Sequence, residues 1–142
     1  MSNISTTLPT IADVHQYLDD RGLGPDALRD PQVQLKLGNR PKRIYSRQEA
    51  YLIAYAQTGT GSHAIRAAGV SDETARRWQI MDTLYFKARL HDARERFADS
   101  LEELALDRVR NPEGKVGTDI LLLGLLNANR PTKYRPQQSI NI

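Results

Sequence analysis

The chain has 142 residues, 39% of them hydrophobic and 26% charged, with a formal net charge of +3. That length and balance fit one domain, or two small helical modules joined end to end, of a soluble protein. Cysteine is absent, which excludes disulfides and cysteine-based zinc or iron–sulfur centres, and His15, His63 and His91 are too scattered to form a metal cluster.

The first residues, MSNISTTLPT, lack the basic and apolar blocks of a secretory signal, so an intracellular location is expected. Residues 1–40 read as an N-terminal helical extension. Thr10 is placed to cap a helix whose apolar positions Ile11, Val14 and Leu18 share one stripe and which ends near Gly22. A second short helix is expected after Pro25, packed through Ala27, Leu28 and Val33. The region is acidic and weakly patterned. It reads as a regulatory or packing extension.

Residues 41–82 form the next predicted unit. Gly38 and Pro41 read as breakers, and Arg40, Lys42, Arg43 and Arg47 as a basic arm. Such an arm suits contacts to phosphate or to a minor groove, and a solvated linker fits it equally well. Ser46, with Glu49 completing a capping box, is expected to start a helix running to about Thr58, with Tyr51, Leu52, Tyr55 and Ala56 inward.

The stretch Ser62 to Ile80, SHAIRAAGVSDETARRWQI, reads as helix, turn, helix. Ala64, Ile65 and Ala68 give the first helix an apolar face, and Gly69 supplies the left-handed residue that ends it. Ser71 or Asp72 caps the second helix, Ala75 and Trp78 point inward, and Thr74, Arg76, Arg77 and Gln79 point outward. A helix-turn-helix with arginines on its second helix is a device for entering a DNA major groove. Glycine-turn helix pairs also occur in proteins that never touch nucleic acid. The charge distribution favours DNA: residues 38–80 hold Arg40, Lys42, Arg43, Arg47, Arg66, Arg76 and Arg77 against only Glu49, Asp72 and Glu73.

Residues 83–129 read as an oligomerisation domain. A long helix is predicted from about Thr83 to Arg110, about 40 Å at 1.5 Å per residue. Phe86, Leu90, Ala93, Phe97, Leu101 and Leu104 recur along it every three or four residues, the seam a helix offers to a partner helix. Asp92, Glu95, Arg96, Asp99, Glu102, Glu103 and Arg108 alternate in sign on its other faces, which suits solvent or inter-subunit ion pairs.

Pro112, Gly114 and Gly117 then break the chain, and Thr118 or Asp119 is expected to start another helix, Ile120 to Ala128. Its sequence ILLLGLLNA is apolar on nearly every face, and a helix of that kind has to be covered on all sides. Further chains, contacted through Leu121, Leu122, Leu125 and Leu126, would supply that cover. Packing within one subunit is the alternative. The apolar run is far too short to span a bilayer. Residues 130–142, with two prolines and three basic side chains, read as a flexible tail that docks on a partner.

No catalytic constellation is present in the sequence. GTGS (Gly59 to Ser62) and EGKVG (Glu113 to Gly117) lack phosphate-loop spacing, and the acidic residues form no isolated two-metal cluster. The chain is expected not to be an enzyme and to need no cofactor.

The order of a basic arm, then YLIAYAQTGTGSHAIRAAGVSDETARRW, ERFADSLEELALDRV and TDILLLGLLNANRPTKYR resembles the small terminase subunit of tailed bacteriophages over residues 45–135. The resemblance implies an all-α fold, with an N-terminal helix-turn-helix DNA-binding unit followed by a long helical hairpin that oligomerises into a ring. It implies recognition of the packaging start site on viral double-stranded DNA in the host cytoplasm. It also implies recruitment and regulation of a large terminase subunit that carries the ATPase and nuclease. Arg66, Ser71, Thr74, Arg76 and Arg77 would contact DNA; Phe86, Leu90, Phe97, Leu101 and Leu104 with the leucines of the apolar helix would build the ring. Arg130, Lys133, Tyr134 and Arg135 would begin the tail that meets the large subunit. A dimeric helix-turn-helix transcription regulator and an oligomeric scaffold without DNA binding are the alternatives.

Overall fold

The computed structural model describes residues 7–111 and 116–134. They are almost entirely helical, and among them the one β feature is an isolated parallel bridge between Leu8 and Leu37. The chain divides into two compact units, residues 1–93 and 94–142.

The first unit opens with α1, Ile11–Asp20, whose cap is a reciprocal box: the Asp13 N–H donates to the Thr10 hydroxyl, and the Thr10 N–H to the Asp13 carboxylate. A 3-10 turn over Pro25–Arg29 leads into α2, Pro31–Lys36, capped by Asp30. Leu8, Val14, Leu18, Leu28, Val33 and Leu37 bury together with Leu84, which comes from much later in the chain. The N-terminal segment thus packs against the turn that carries Leu84.

Helix α3 spans Asn39–Thr58. The expected boundary at Ser46 is overturned, and so is the basic arm as an irregular segment. Pro41 occupies the third helical position, where its missing N–H would have no intrahelical partner anyway. It is fully buried there. Gly59, at φ +70, ends α3, and Thr60 caps α4, Gly61–Ala68. Gly69, at φ +67, ends α4, and Ser71 caps α5, Asp72–Ile80, by accepting from the Thr74 N–H at 3.1 Å. Tyr51, Leu52, Ala64, Ala68, Ala75, Trp78, Phe86, Leu90 and Ala93 form the core beneath these helices, with Ile44 packing against this cluster and the N-terminal one.

Between α5 and the next helix the chain does not continue as the sequence periodicity suggested. Asp82, Leu84 and Tyr85 take positive φ values of 51°, 53° and 57° around a 3-10 turn over Thr83–Tyr85, and α6 starts only at Phe86 and runs to Arg110. Left-handed backbone at non-glycine residues costs on the order of 1–2 kcal/mol each, and this turn is held from several directions. Leu84 is fully buried. Its N–H donates to His15 Nε2 at 2.9 Å, and Tyr85 donates its hydroxyl to Asp19 at 2.7 Å. Gln48, wholly buried in α3, donates to the Thr83 carbonyl at 3.0 Å. Buried Arg89 bonds the Gln48 side chain at 2.6 Å, the Leu84 carbonyl at 3.2 Å and Glu49 at 3.0 Å.

In the second unit, the later part of α6 packs with α7, Val116–Asn129, through Phe97, Leu101, Leu122 and Leu126. Helix α7 starts at Val116, ahead of the expected Thr118 or Asp119. The chain then makes a single turn, α8, Pro131–Tyr134. The tail expected over residues 130–142 is thus helical at its beginning. Residues 135–142, and the connector residues 112–115, lie outside the described residues.

Candidate nucleic-acid interface

Because α3 starts at Asn39, Arg40, Ile44 and Arg47 recur at spacings of four and three and share one stripe of the helix. That stripe lines a groove of about 330 Å3 together with Thr74, Arg77 and Trp78 of α5, with Val70, Met81 and Thr83 flanking that helix, and with Ile11 of α1. Arg40, Arg47 and Arg77 are exposed, while Trp78 is buried and forms the groove's floor with Ile44. The floor is tightly built: Trp78 meets Tyr51 edge-on and Phe86 at 5.3 Å between ring centres.

The three guanidinium groups have no carboxylate within ion-pairing distance among the described residues. Arg76, by contrast, pairs with Asp72 one turn earlier at 3.2 Å, and Arg89 pairs with Glu49. Three like charges around one concavity raise its positive potential, and facing low-dielectric walls focus the field. An arginine fork matches a phosphate or carboxylate group bidentately. The groove therefore concentrates positive charge on one concavity of this unit.

The remaining candidate residues are distributed around this centre. Arg76 and Arg77 also line a shallower groove with Glu73, Ile80 and Met81. Lys42 and Arg43 are exposed on α3, and Arg66 on α4, but none of the three lines the arginine groove. Ser71 is occupied as the α5 cap, and its hydroxyl lies 3.0 Å from that of Thr74. The convergence of Arg40 and Arg47 with Arg77, over Ile44 and Trp78, was not read from the sequence. The seven-residue interval from Arg40 to Arg47 would have signalled it, had Pro41 been accepted inside a helix.

The residues expected to build an inter-subunit seam separate into two groups. Phe86, Leu90, Phe97, Leu101, Leu122 and Leu126 are buried in the chain's own clusters, with Leu122 and Leu126 also lining an open groove beside Ala105, Val109 and Leu123. Leu104, Leu121 and Leu125 are exposed, together with Ile120, Leu123, Leu106 and Val109. The apolar helix is covered along one side only.

The tail residues are likewise engaged within the chain. Arg130 bonds Asp99 at 2.8 Å, Glu95 at 3.2 Å and Glu102; Lys133 and the Tyr134 hydroxyl also reach Glu102. The hydrogen bond to Asp99, with the surrounding carboxylates, raises the Arg130 guanidinium above its ordinary range. The acidic face of α6 is thus partnered by α8 and the residue before it. Arg135 lies outside the described residues.

No group of three or more histidine, aspartate or glutamate side chains placed to hold a metal ion occurs among the described residues. No described helix is long and apolar enough to cross a membrane. No protein-family model, curated protein or solved structure matches this chain.

Proposed function

We propose that this chain is a viral DNA-packaging protein, a small terminase subunit that assembles into a ring, binds the packaging start site and brings the large terminase subunit to it. In this reading α4, the turn Gly69–Ser71 and α5 act as a helix-turn-helix, with α5 as the groove-entering helix. The observation that carries the reading is the set of exposed arginines on α3 and α5, of which Arg40, Arg47 and Arg77 lack carboxylate partners among the described residues. Phosphate contacts supply most of the affinity of such a surface and fix its register on the duplex.

The uncovered apolar side of α7 supports assembly. Exposed apolar patches of this kind mark contact surfaces, and Leu121 and Leu125 lie on it beside Ile120 and Leu123. A ring presents many copies of one modest DNA-binding surface, and their effects combine through effective concentration. Catalysis belongs, in this account, to the ATPase and nuclease of the large subunit in the host cytoplasm; the chain itself binds and regulates.

The test is duplex binding by the Arg76→Ala/Arg77→Ala variant. Affinity at low salt falls by about tenfold or more, and the slope of log affinity against log salt becomes shallower by about two. The native mass stays the same. Unchanged affinity and slope would remove α5 from the mechanism.

A further inference from the structure

We propose that the groove between α3 and α5 is a seat for a single phosphate group carried on an organic body. The phosphate lies among Arg40, Arg47 and Arg77, and the organic body rests on Ile44 and Trp78. Under the function proposed above the phosphate belongs to a DNA backbone, and to that extent the inference rests on that reading. A free nucleotide carries the same chemistry and is the other source.

Three features select this ligand class. First, three arginines converge on one concavity that has no acidic side chain among its described lining residues. Their mutual repulsion is relieved by a bound anion, and the nonbridging oxygens of a phosphate accept from more than one arginine fork. Second, the volume of about 330 Å3 lies near the lower end of the roughly 300–1,000 Å3 typical of small-ligand sites. That is room for a phosphate and its sugar, and little more. Third, the floor is apolar and aromatic, whereas a site for a bare inorganic ion needs no such surface. Thr74 adds a hydroxyl to the wall on the α5 side.

The site carries its own reporter. Trp78 is the chain's one tryptophan and lies in the floor, so its fluorescence follows occupancy. The full chain is titrated with inorganic phosphate, with deoxythymidine monophosphate and with a short DNA duplex. Anisotropy of the labelled duplex is recorded in parallel.

The expected result is a saturable change in Trp78 emission. The same titrations with Arg47→Gln and with Arg77→Gln require about tenfold more ligand. Both arginines are exposed, so far-UV circular dichroism stays unchanged. A response to the duplex, weakened about tenfold in both variants, assigns the phosphate to a DNA backbone. A response to the mononucleotide without duplex binding keeps the seat and contradicts the DNA-binding reading. Duplex binding that leaves Trp78 silent and survives both substitutions overturns the seat while leaving that reading intact. Silence toward all three probes overturns both.

Discussion

Tyr85 concentrates the tension between local backbone cost and tertiary reward. Its φ of 57° is unfavourable for a bulky side chain. Its ring lies 4.5 Å from that of His15, and its hydroxyl donates to Asp19. Burial, reinforced by that hydrogen bond, pushes its pKa up from 10.0 to about 12. The neutral phenol is thus bound more firmly in the folded state. Its contribution is complete below the unfolded value of 10.0 and is lost as pH rises toward about 12. Tyr85→Phe therefore lowers stability by about 1 kcal/mol near neutral pH, the net worth of one hydrogen bond. It also flattens the decline between about pH 9 and about pH 11. Urea midpoints at the two pH values check this. An equally steep alkaline decline in the variant would show that Tyr85 is not its source.

At the scale of elements, the residues before α1 are fastened to the end of α2 and the start of α3 by backbone rather than by side chains alone. Leu8 donates to the Lys36 carbonyl at 2.7 Å and accepts from the Gly38 N–H at 2.8 Å. This approach leaves no space at Gly38, where a Cβ would stand 2.8 Å from the Pro9 Cα and 3.0 Å from the Leu8 carbonyl oxygen. Gly38→Ala must separate the two strands of chain and is expected to cost about 1–3 kcal/mol. Gly24→Ala, with open space at its Cβ, stays within about 0.5 kcal/mol and serves as the control. Hydrogen exchange at the Leu8 N–H gives the sharper readout: faster in the first variant, unchanged in the second.

Elements with capping and periodic signals were legible in the sequence. Thr10, Gly69 and Ser71 each mark a boundary that the structure keeps, because capping and left-handed termination are decided within four or five residues. Two boundaries were not. Pro41 read as a breaker, although proline is tolerated in the first helical turn, and with the helix start went the alignment of Arg40 with Arg47. The turn at Asp82 to Tyr85 gives no local signal at all. Leucine and tyrosine do not choose left-handed backbone; Gln48 and His15, distant in sequence, hold it there, with Arg89 bonding the Leu84 carbonyl from the following helix. The arginine groove inherits the first miss, since its α3 wall depends on it.

At the scale of the molecule, the apolar character of α7 was legible, whereas which leucines remain free was not. Periodicity shows that a helix has several apolar faces without showing which of them its own chain will cover. Leu122 is 5% exposed and Leu121 is 65% exposed, so the two positions answer different questions. Leu122→Asp puts a charge into the chain's own core and destabilises the second unit whatever the assembly. Leu121→Asp combined with Leu125→Asp leaves that core intact and alters only the exposed side. The double variant is therefore the informative one, and it should retain its helical circular dichroism.

In the proposed ring this uncovered face closes a large assembly carrying many copies of the arginines that would face DNA. Light scattering on a sizing column tests it most directly, with the unsubstituted chain beside the Leu121→Asp/Leu125→Asp variant. The expected result is a single discrete mass well beyond four 16.0 kDa chains, collapsing to a much smaller species in the variant. A clean dimer or monomer for the unsubstituted chain, or a large assembly indifferent to both substitutions, would contradict it.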